Sequence, residues 1–396
     1  MEIPARPFFD WSRIPEAQLQ TLAFHIGMVE LVSYWKMACP KRVVVKPFAL
    51  NEPQKSWWKK LYYNGLGEFF YLNGITCSEA DFMYIETPSA TSFAKVDSAL
   101  QEKVIIPVGG GKDSVVTLEL LRNDLPCTPL IVNPRGATLG CVETAGYPDD
   151  EVMIVKRTLD PTMLEMNKQG FLNGHTPFSA LLAFVSILVG FGSGSRYIAL
   201  SNGSSANEST VPGTNINHQY SKSIEFERDF RNYVAENIND KIQYFSFLRP
   251  LSELQIAYFF AQFKAYHPVF RSCNAGSKTN SWCGKCPKCL FTWIILSPFL
   301  SRAQLTAIFG RDLMTDYDLK PIFEELNGTS AVKPFECVGT VEEVRACTDY
   351  MKDRVGTIAE MSPKGDASVP EILQRFNEDN FLPEKFAIIL KSRLYV

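Results

Sequence analysis

Positive charge is in no excess in this chain: 40 Lys+Arg stand against 43 Asp+Glu, for a formal net charge of −3. That balance argues against broad nucleic-acid binding, so no nucleic-acid partner is expected. Long apolar runs are also missing. The most apolar stretch, FSALLAFVSILVGF from Phe178 to Phe191, is too short to span a bilayer and reads as a buried helix, so no membrane insertion is expected. The opening MEIPARPFFDW has no basic segment leading into an apolar one, so no export signal is expected and the cytoplasm is the expected location. Neither internal repeats nor low-complexity blocks occur. What remains is an ordinary globular composition, 46% hydrophobic and 21% charged over 396 residues, long enough for two or three domains.

Short β-type runs lie at 104–108 (VIIPV), 128–133, 151–156, 196–201 and 243–248, with helical patterns after Ser114, near Pro177 and from Ser252. Strands alternating with helices predict an α/β fold built on a doubly wound parallel sheet, with ligands outside the carboxyl ends of the strands. Ahead of it, residues 1–100 form an expected α+β part for substrate binding. There a helix over HIGMVELVSYWKMA precedes the aromatic segment 56–75, whose alternation and Asn-Gly steps at Asn64 and Asn73 suggest strands and turns. Residues 101–300 form the expected nucleotide domain. Residues 301–396 read as helical, through TDYDLKPIFEELNG and TVEEVRACTDYMKD, with an exposed connection over 362–370.

The first expected strand runs straight into GGGKDS, residues 109–114. Gly109, Gly110 and Gly111 permit close backbone approach, and their N–H groups can surround an anion at the start of the next helix. Ser114 can cap that helix or donate to phosphate, and Asp113 can hold the Mg2+ that accompanies a nucleotide. Neither GxxxxGK[ST] nor GxGxxG is present. The bland alternative is a glycine turn between strand and helix. This stretch resembles the SGGxDS loop of the PP-loop ATP pyrophosphatases, with Gly110, Gly111, Asp113 and Ser114 matching and Gly109 in place of the usual first serine. That resemblance implies a doubly wound sheet, with residues 109–114 (Lys112 included) binding ATP, which is cleaved to AMP and pyrophosphate.

Ten cysteines occur, four of them in SCNAGSKTNSWCGKCPKCLF. Two overlapping CxxC steps present Cys283, Cys286 and Cys289 from one turn, and Cys273 completes four soft ligands suited to a structural Zn2+. Lys285 and Lys288 are expected to favour the thiolates electrostatically. An iron–sulfur cluster is the less suited use of the same ligands.

The segment 201–227, SNGSSANESTVPGTNINHQYSKSIEFE, is long and polar and follows a strand end, which places it on the ligand side of the sheet. It lacks the acidic segment many PP-loop enzymes carry there. Asn202, Asn207 and Glu208 become candidates for the nucleotide or its metal, and His218, Tyr220 and Lys222 for binding an anionic substrate or moving a proton. A solvated surface loop is the alternative. Of the other histidines, His25 reads as a satisfied core residue, and His175 and His267 carry no assigned role.

Across most of its length the chain resembles the ATP-dependent UDP-N-acetylmuramoyl-L-alanyl-L-glutamate epimerase family of peptidoglycan synthesis. The matching stretches are HIGMVELVSYWK, IPVGGGKDSVVTLE, SSANES, NHQYSKSIEFE, CGKCPKCLF and KPFECVGTVEEVRA. The resemblance implies a nucleotide-sugar dipeptide substrate whose terminal L-glutamate is adenylated, deprotonated and returned as D-glutamate. His218 or Lys222 would move the proton, and Asp113 would serve the metal. Two other readings stand beside it. One is a purine- or tRNA-modifying enzyme like 7-cyano-7-deazaguanine synthase, whose family carries a similar cysteine motif, or like the thiolases. The other is a non-catalytic nucleotide sensor.

Overall fold

The computed structural model describes every residue except 4–7, 212, 352–354 and 395–396. Part of the opening stretch, position 212 of the polar segment and the last two residues of TVEEVRACTDYMKD therefore lie outside the described residues. The strands are β1 (Arg42–Val44), β2 (Tyr84–Glu86), β3 (Gln101–Pro107), β4 (Cys127–Val132), β5 (Met153–Val155), β6 (Ser195–Leu200) and β7 (Gln243–Ser246). The helices up to the sixth strand are α1 (Glu16–Trp35), α2 (Glu52–Gly65), α3 (Gly67–Leu72), α4 (Lys112–Leu121), α5 (Gly136–Thr144), α6 (Pro161–Lys168) and α7 (Phe178–Ser193). After it come α8 (Ile224–Asn237), α9 (Glu253–Gln262), α10 (Pro287–Leu296), α11 (Arg302–Phe309), α12 (Lys320–Leu326), α13 (Val341–Tyr350), α14 (Val369–Leu373) and α15 (Glu384–Leu394).

All five expected strands of the α/β part form one sheet, in the order β5-β4-β3-β6-β7. The chain starts in the middle at β3, moves outward through β4 and β5, then returns to β6 and β7 on the other side. This is the doubly wound order, and its direction reverses between β3 and β6. These two are parallel, with Val104 opposite Tyr197 and Ile105 opposite Ile198. A reversal of this kind opens a crevice at the strands' carboxyl ends. After β3 come Val108 and the three glycines Gly109, Gly110 and Gly111, and the residues that follow β6 begin the polar segment.

The aromatic stretch 56–75 is helical, not β. Trp58, Leu61, Tyr62 and Gly65 are buried in α2, then Phe69 and Phe70 in α3. That is i, i+3, i+4 spacing, which dense aromatics disguise as alternation. Asn51 fixes the start of α2 with a capping box, its Oδ1 accepting from Gln54 N–H at 2.9 Å while Gln54 Oε1 accepts from Asn51 N–H at 2.9 Å. Such a cap contributes about 1 kcal/mol. The Asn-Gly steps end helices: Gly65 closes α2, and Gly74 with φ +63° follows α3.

Contacts divide the chain into two compact units. The first comprises Met1–Ile105, Ile154–Ile198 and Asn215–Tyr244; the second comprises Ile106–Met153, Ala199–Thr214 and Phe245–Val396. In the first unit α1 packs on α7, which is buried on nearly every side, as its apolar run requires. His25 is a core residue as expected: Nδ1 meets Thr21 O at 2.7 Å and Nε2 meets the Tyr233 hydroxyl at 3.0 Å. In the second unit α9 packs against α4, α10 and α14, and α10 against α12 and α13. The C-terminal third is helical, and no regular element occupies 362–368 before α14. No helix among the described residues is long and apolar enough to cross a membrane.

Candidate active site

In the second unit, β3 ends buried and the glycines take over. Gly110 has φ +78°, and a Cβ there would lie 2.8 Å from the Ala137 carbonyl carbon and the Thr138 nitrogen. Only glycine fits that place. Gly111, with φ −94°, is the N-cap of α4. Ser114 does not cap the helix; it lies in the first turn and its Oγ donates to Gly111 O at 3.1 Å. The cap position therefore carries no side chain, and the amino end of a ten-residue helix points at the glycine loop. Backbone N–H groups and the helix dipole make such an end an anion site.

Lys112 does not point outward. It is 3% exposed, and its ammonium lies between the carboxylates of Asp113, at 2.5 Å, and Glu253. Burial alone would pull the lysine pKa down; the two carboxylates outweigh it and raise it. Burial pushes the Glu253 carboxyl up, with Lys112 opposing and Asp113 and Glu343 adding to the rise. Glu253 opens α9, where Ser252 supplies a capping box, and its Oε1 accepts from Ser205 Oγ at 3.2 Å. Glu253 thus joins Asp113 as an acidic group beside the loop, a partner the sequence reading missed. The available signal was an acidic residue opening the helix that follows the last strand of the sheet.

Just past β6, Asn202 donates through Nδ2 to Ser246 Oγ at 3.0 Å. Gly203 is held by the fully buried Arg249, whose Nη1 donates to its carbonyl at 2.8 Å. Asn207 ends a short 3-10 turn and is exposed. Glu208 pairs with Lys333, whose Nζ also donates to Gly339 O at 3.0 Å. Lys333 N–H donates to Thr210 O at 3.1 Å. Residues 202–210 are therefore pinned at several points rather than forming a solvated loop.

The second unit also gathers Cys273, Cys283, Cys286 and Cys289, with sulfurs within 4.8 Å of one another. Sulfur–sulfur separations include 3.8 Å (Cys273 to Cys286), 3.7 Å (Cys283 to Cys289) and 3.5 Å (Cys286 to Cys289). A tetrahedron with Zn–S bonds of about 2.3 Å has edges of about 3.8 Å, so the donor set fits zinc and not disulfides. Gly276 makes the close turn possible, since a Cβ there would lie 1.9 Å from Ser281 O. The hydrogen bond between Cys286 and Cys289 pulls Cys286 down to about 5, while Cys289 itself is pushed up by the same bond and by burial. The expected help from lysine ammonium groups is not the arrangement found. Lys285 offers its backbone N–H to Cys283 Sγ at 3.4 Å, and Lys288 Nζ turns to Asn274 Oδ1 at 3.3 Å.

The first unit holds a second cluster. Glu68, near the start of α3, receives His218 Nδ1 on Oε2, and His175 Nδ1 lies 3.6 Å from the same oxygen. The two imidazoles are 4.4 Å apart between centroids. The three donor atoms lie within 4.8 Å of one another, close enough for one metal ion. Burial, then the neighbouring His218, Lys222 and Lys36, pushes His175 down to about 4 against the pull of Glu68, so its ring is neutral at physiological pH. Lys222, in the 3-10 turn Tyr220–Lys222, therefore lies within electrostatic reach of the cluster, while Tyr220 is buried. Sequence reasoning found His218 and Lys222 but missed Glu68 and His175, which come from remote segments.

Family models described as MurL N-terminal domain and MurL C-terminal domain match residues 1–247 and 269–362. Curated proteins similar to the chain are named UDP-N-acetyl-alpha-D-muramoyl-L-alanyl-L-glutamate epimerase. The one from Xanthomonas oryzae pv. oryzae is 34% identical over 363 residues, covering 89% of this chain and 79% of the relative. The one from Salinispora tropica is 37% identical over 364 residues, covering 90% and 78%. A third, from a Micromonospora strain, is 35% identical over 350 residues, covering 87% and 76%.

Proposed function

The chain belongs to the MurL family, and we propose that it inverts the terminal L-glutamate of UDP-N-acetylmuramoyl-L-alanyl-L-glutamate by an ATP-dependent, AMP-forming route. The observation that carries the ATP-dependent part is the GGGKDS loop at the switch point between β3 and β6, with Asp113 and Glu253 beside it.

In this reading the fold is of the PP-loop kind, and the backbone of Gly109, Gly110 and Gly111, with Ser114, receives the phosphates of ATP at the start of α4. Asn202 belongs to the same nucleotide site. Glu208, tied to Lys333, holds the neighbouring segment in place. Asp113 and Glu253 would hold Mg2+, which neutralises phosphate charge when bound. Lys112 supplies the counter-charge that lets the two carboxylates sit together. The four cysteines would hold a structural Zn2+.

An oxygen of the glutamate α-carboxylate attacks the α-phosphorus of ATP, and pyrophosphate leaves with the electrons of the broken P–O bond. The resulting acyl adenylate lacks the negative charge that opposes carbanion formation in a free carboxylate, so the Cα–H becomes acidic. We assign the proton exchange to the first-unit groups His218 and Lys222. Glu68 accepts from His218 Nδ1–H, which fixes that tautomer and leaves Nε2 to exchange the proton. A proton returned to the opposite face gives the D configuration, and water at the acyl carbon releases the product and AMP.

The test is a product assay with magnesium-ATP and the UDP-dipeptide. AMP, pyrophosphate and D-glutamate formed together support the reading. AMP without inversion would point to another acceptor, and absence of AMP would remove the ATP-dependent part.

A further inference from the structure

Lys36, directly after α1, is one of the few buried lysines, 6% exposed. Lys112, the other buried lysine among the described residues, meets two carboxylates, and the less buried Lys333 meets one. Lys36 meets none within 4.0 Å among the described residues, and its one protein acceptor there is Gly174 O at 2.5 Å. An ammonium has three donors, and burying it without a counter-charge is costly. Glu30, the last acidic residue of α1, is already engaged by Arg157 through two hydrogen bonds of 2.5 and 2.7 Å. Burial, and then Arg157, accordingly pulls the Lys36 pKa down. Gly174 leads directly into His175, so Lys36 borders the Glu68–His175–His218 cluster.

The charge balance of that cluster decides what it can take. Lys36 and Lys222 bring two ammonium groups and Glu68 one carboxylate. A divalent cation would meet two lysines; an anion would meet one carboxylate. We propose that Lys36 is a substrate-specificity residue which holds the γ-carboxylate of the terminal glutamate. The inference rests on the proposed function for the identity of the substrate. It selects the γ-carboxylate because an adenylated α-carboxylate no longer offers a lysine its charge. Lys36 gains the counter-ion its surroundings withhold, and the protein distinguishes glutamate from uncharged neighbours such as glutamine.

The experiment compares binding of UDP-N-acetylmuramoyl-L-alanyl-L-glutamate with that of its γ-carboxamide analogue, by calorimetry on the full chain and on Lys36→Met, Lys36→Gln and Lys36→Arg. Wild type should prefer the carboxylate by about 10- to 100-fold, the value of a charge-assisted hydrogen bond. Lys36→Met should bring the ratio close to one, and Lys36→Arg should recover part of it. A merely structural lysine would weaken both ligands alike, so an unchanged ratio in the methionine variant overturns the proposal. Should that variant not fold, Lys36→Gln is read the same way. Wild type that epimerises the substrate but does not separate the two ligands defeats the inference alone. Wild type that binds neither ligand defeats the proposed function and this inference with it. A stoichiometric divalent ion lost on His175→Ala, in a chain already lacking Cys283, would establish a cation site and also overturn it.

Discussion

Lys112→Met removes the cation that Asp113 and Glu253 share, leaving two carboxylates around one buried position. The Lys112 side chain is 4% exposed and that of Glu253 13%, whereas Asp113 is 40% exposed and keeps water. The loss therefore falls on Glu253. Breaking a buried pair by removing one partner costs about 3–5 kcal/mol, and the partial exposure of Asp113 places this case near 3. For a unit of roughly 200 residues that lowers the melting temperature by about 6–12 °C. Without Lys112 the Glu253 pKa rises further above its unfolded value, so the deficit is fully developed above the raised pKa and shrinks at acid pH as the carboxyl protonates. Thermal and urea unfolding of Lys112→Met, Glu253→Gln and the double variant supply the assay. The double variant should be more stable than Lys112→Met alone, because it removes both charges. Losses that simply add to within about 0.5 kcal/mol would refute the coupling.

Asp113→Asn should lower AMP formation about 10²- to 10³-fold while leaving the fold intact, as measured by pyrophosphate release and circular dichroism. Cys283→Ser should remove zinc from the purified protein by elemental analysis and lower the melting temperature, since a structural site contributes folding energy directly. His25 and His175 are both held near 4, each chiefly by burial. Their folded values lie below the unfolded 6.5, so their contribution is present above pH 6.5 and is lost as pH falls towards 4. Each accounts for about 3 kcal/mol at most. Urea midpoints followed across that window should fall steeply in wild type and less steeply in His175→Gln.

The sheet was legible because each of its strands is a short β-branched or aromatic run bounded by turn residues, and Gly110 announced its loop because only glycine can pass Ala137 and Thr138 there. The cysteine cluster was legible from spacing alone. In segment 56–75 aromatic density satisfied two periods at once, and the helical one prevailed once Asn51 capped it. Glu253, Glu68, His175 and Lys36 were hidden for a different reason. Each is an unremarkable residue in its own neighbourhood, and it acquires a role only when folding brings distant segments together. The two compact units, assembled from alternating stretches of chain, were hidden in the same way.

The central claim is that ATP activates the substrate carboxylate, and the most direct measurement follows an oxygen atom. The UDP-dipeptide labelled with 18O in the glutamate α-carboxylate is turned over in ordinary water, and the AMP is analysed by mass spectrometry. Attack of that carboxylate on the α-phosphorus, followed by water at the acyl carbon, places one 18O in each AMP. AMP without label, formed as the substrate is consumed, would mean that water and not the carboxylate attacks phosphorus, and it would contradict the account.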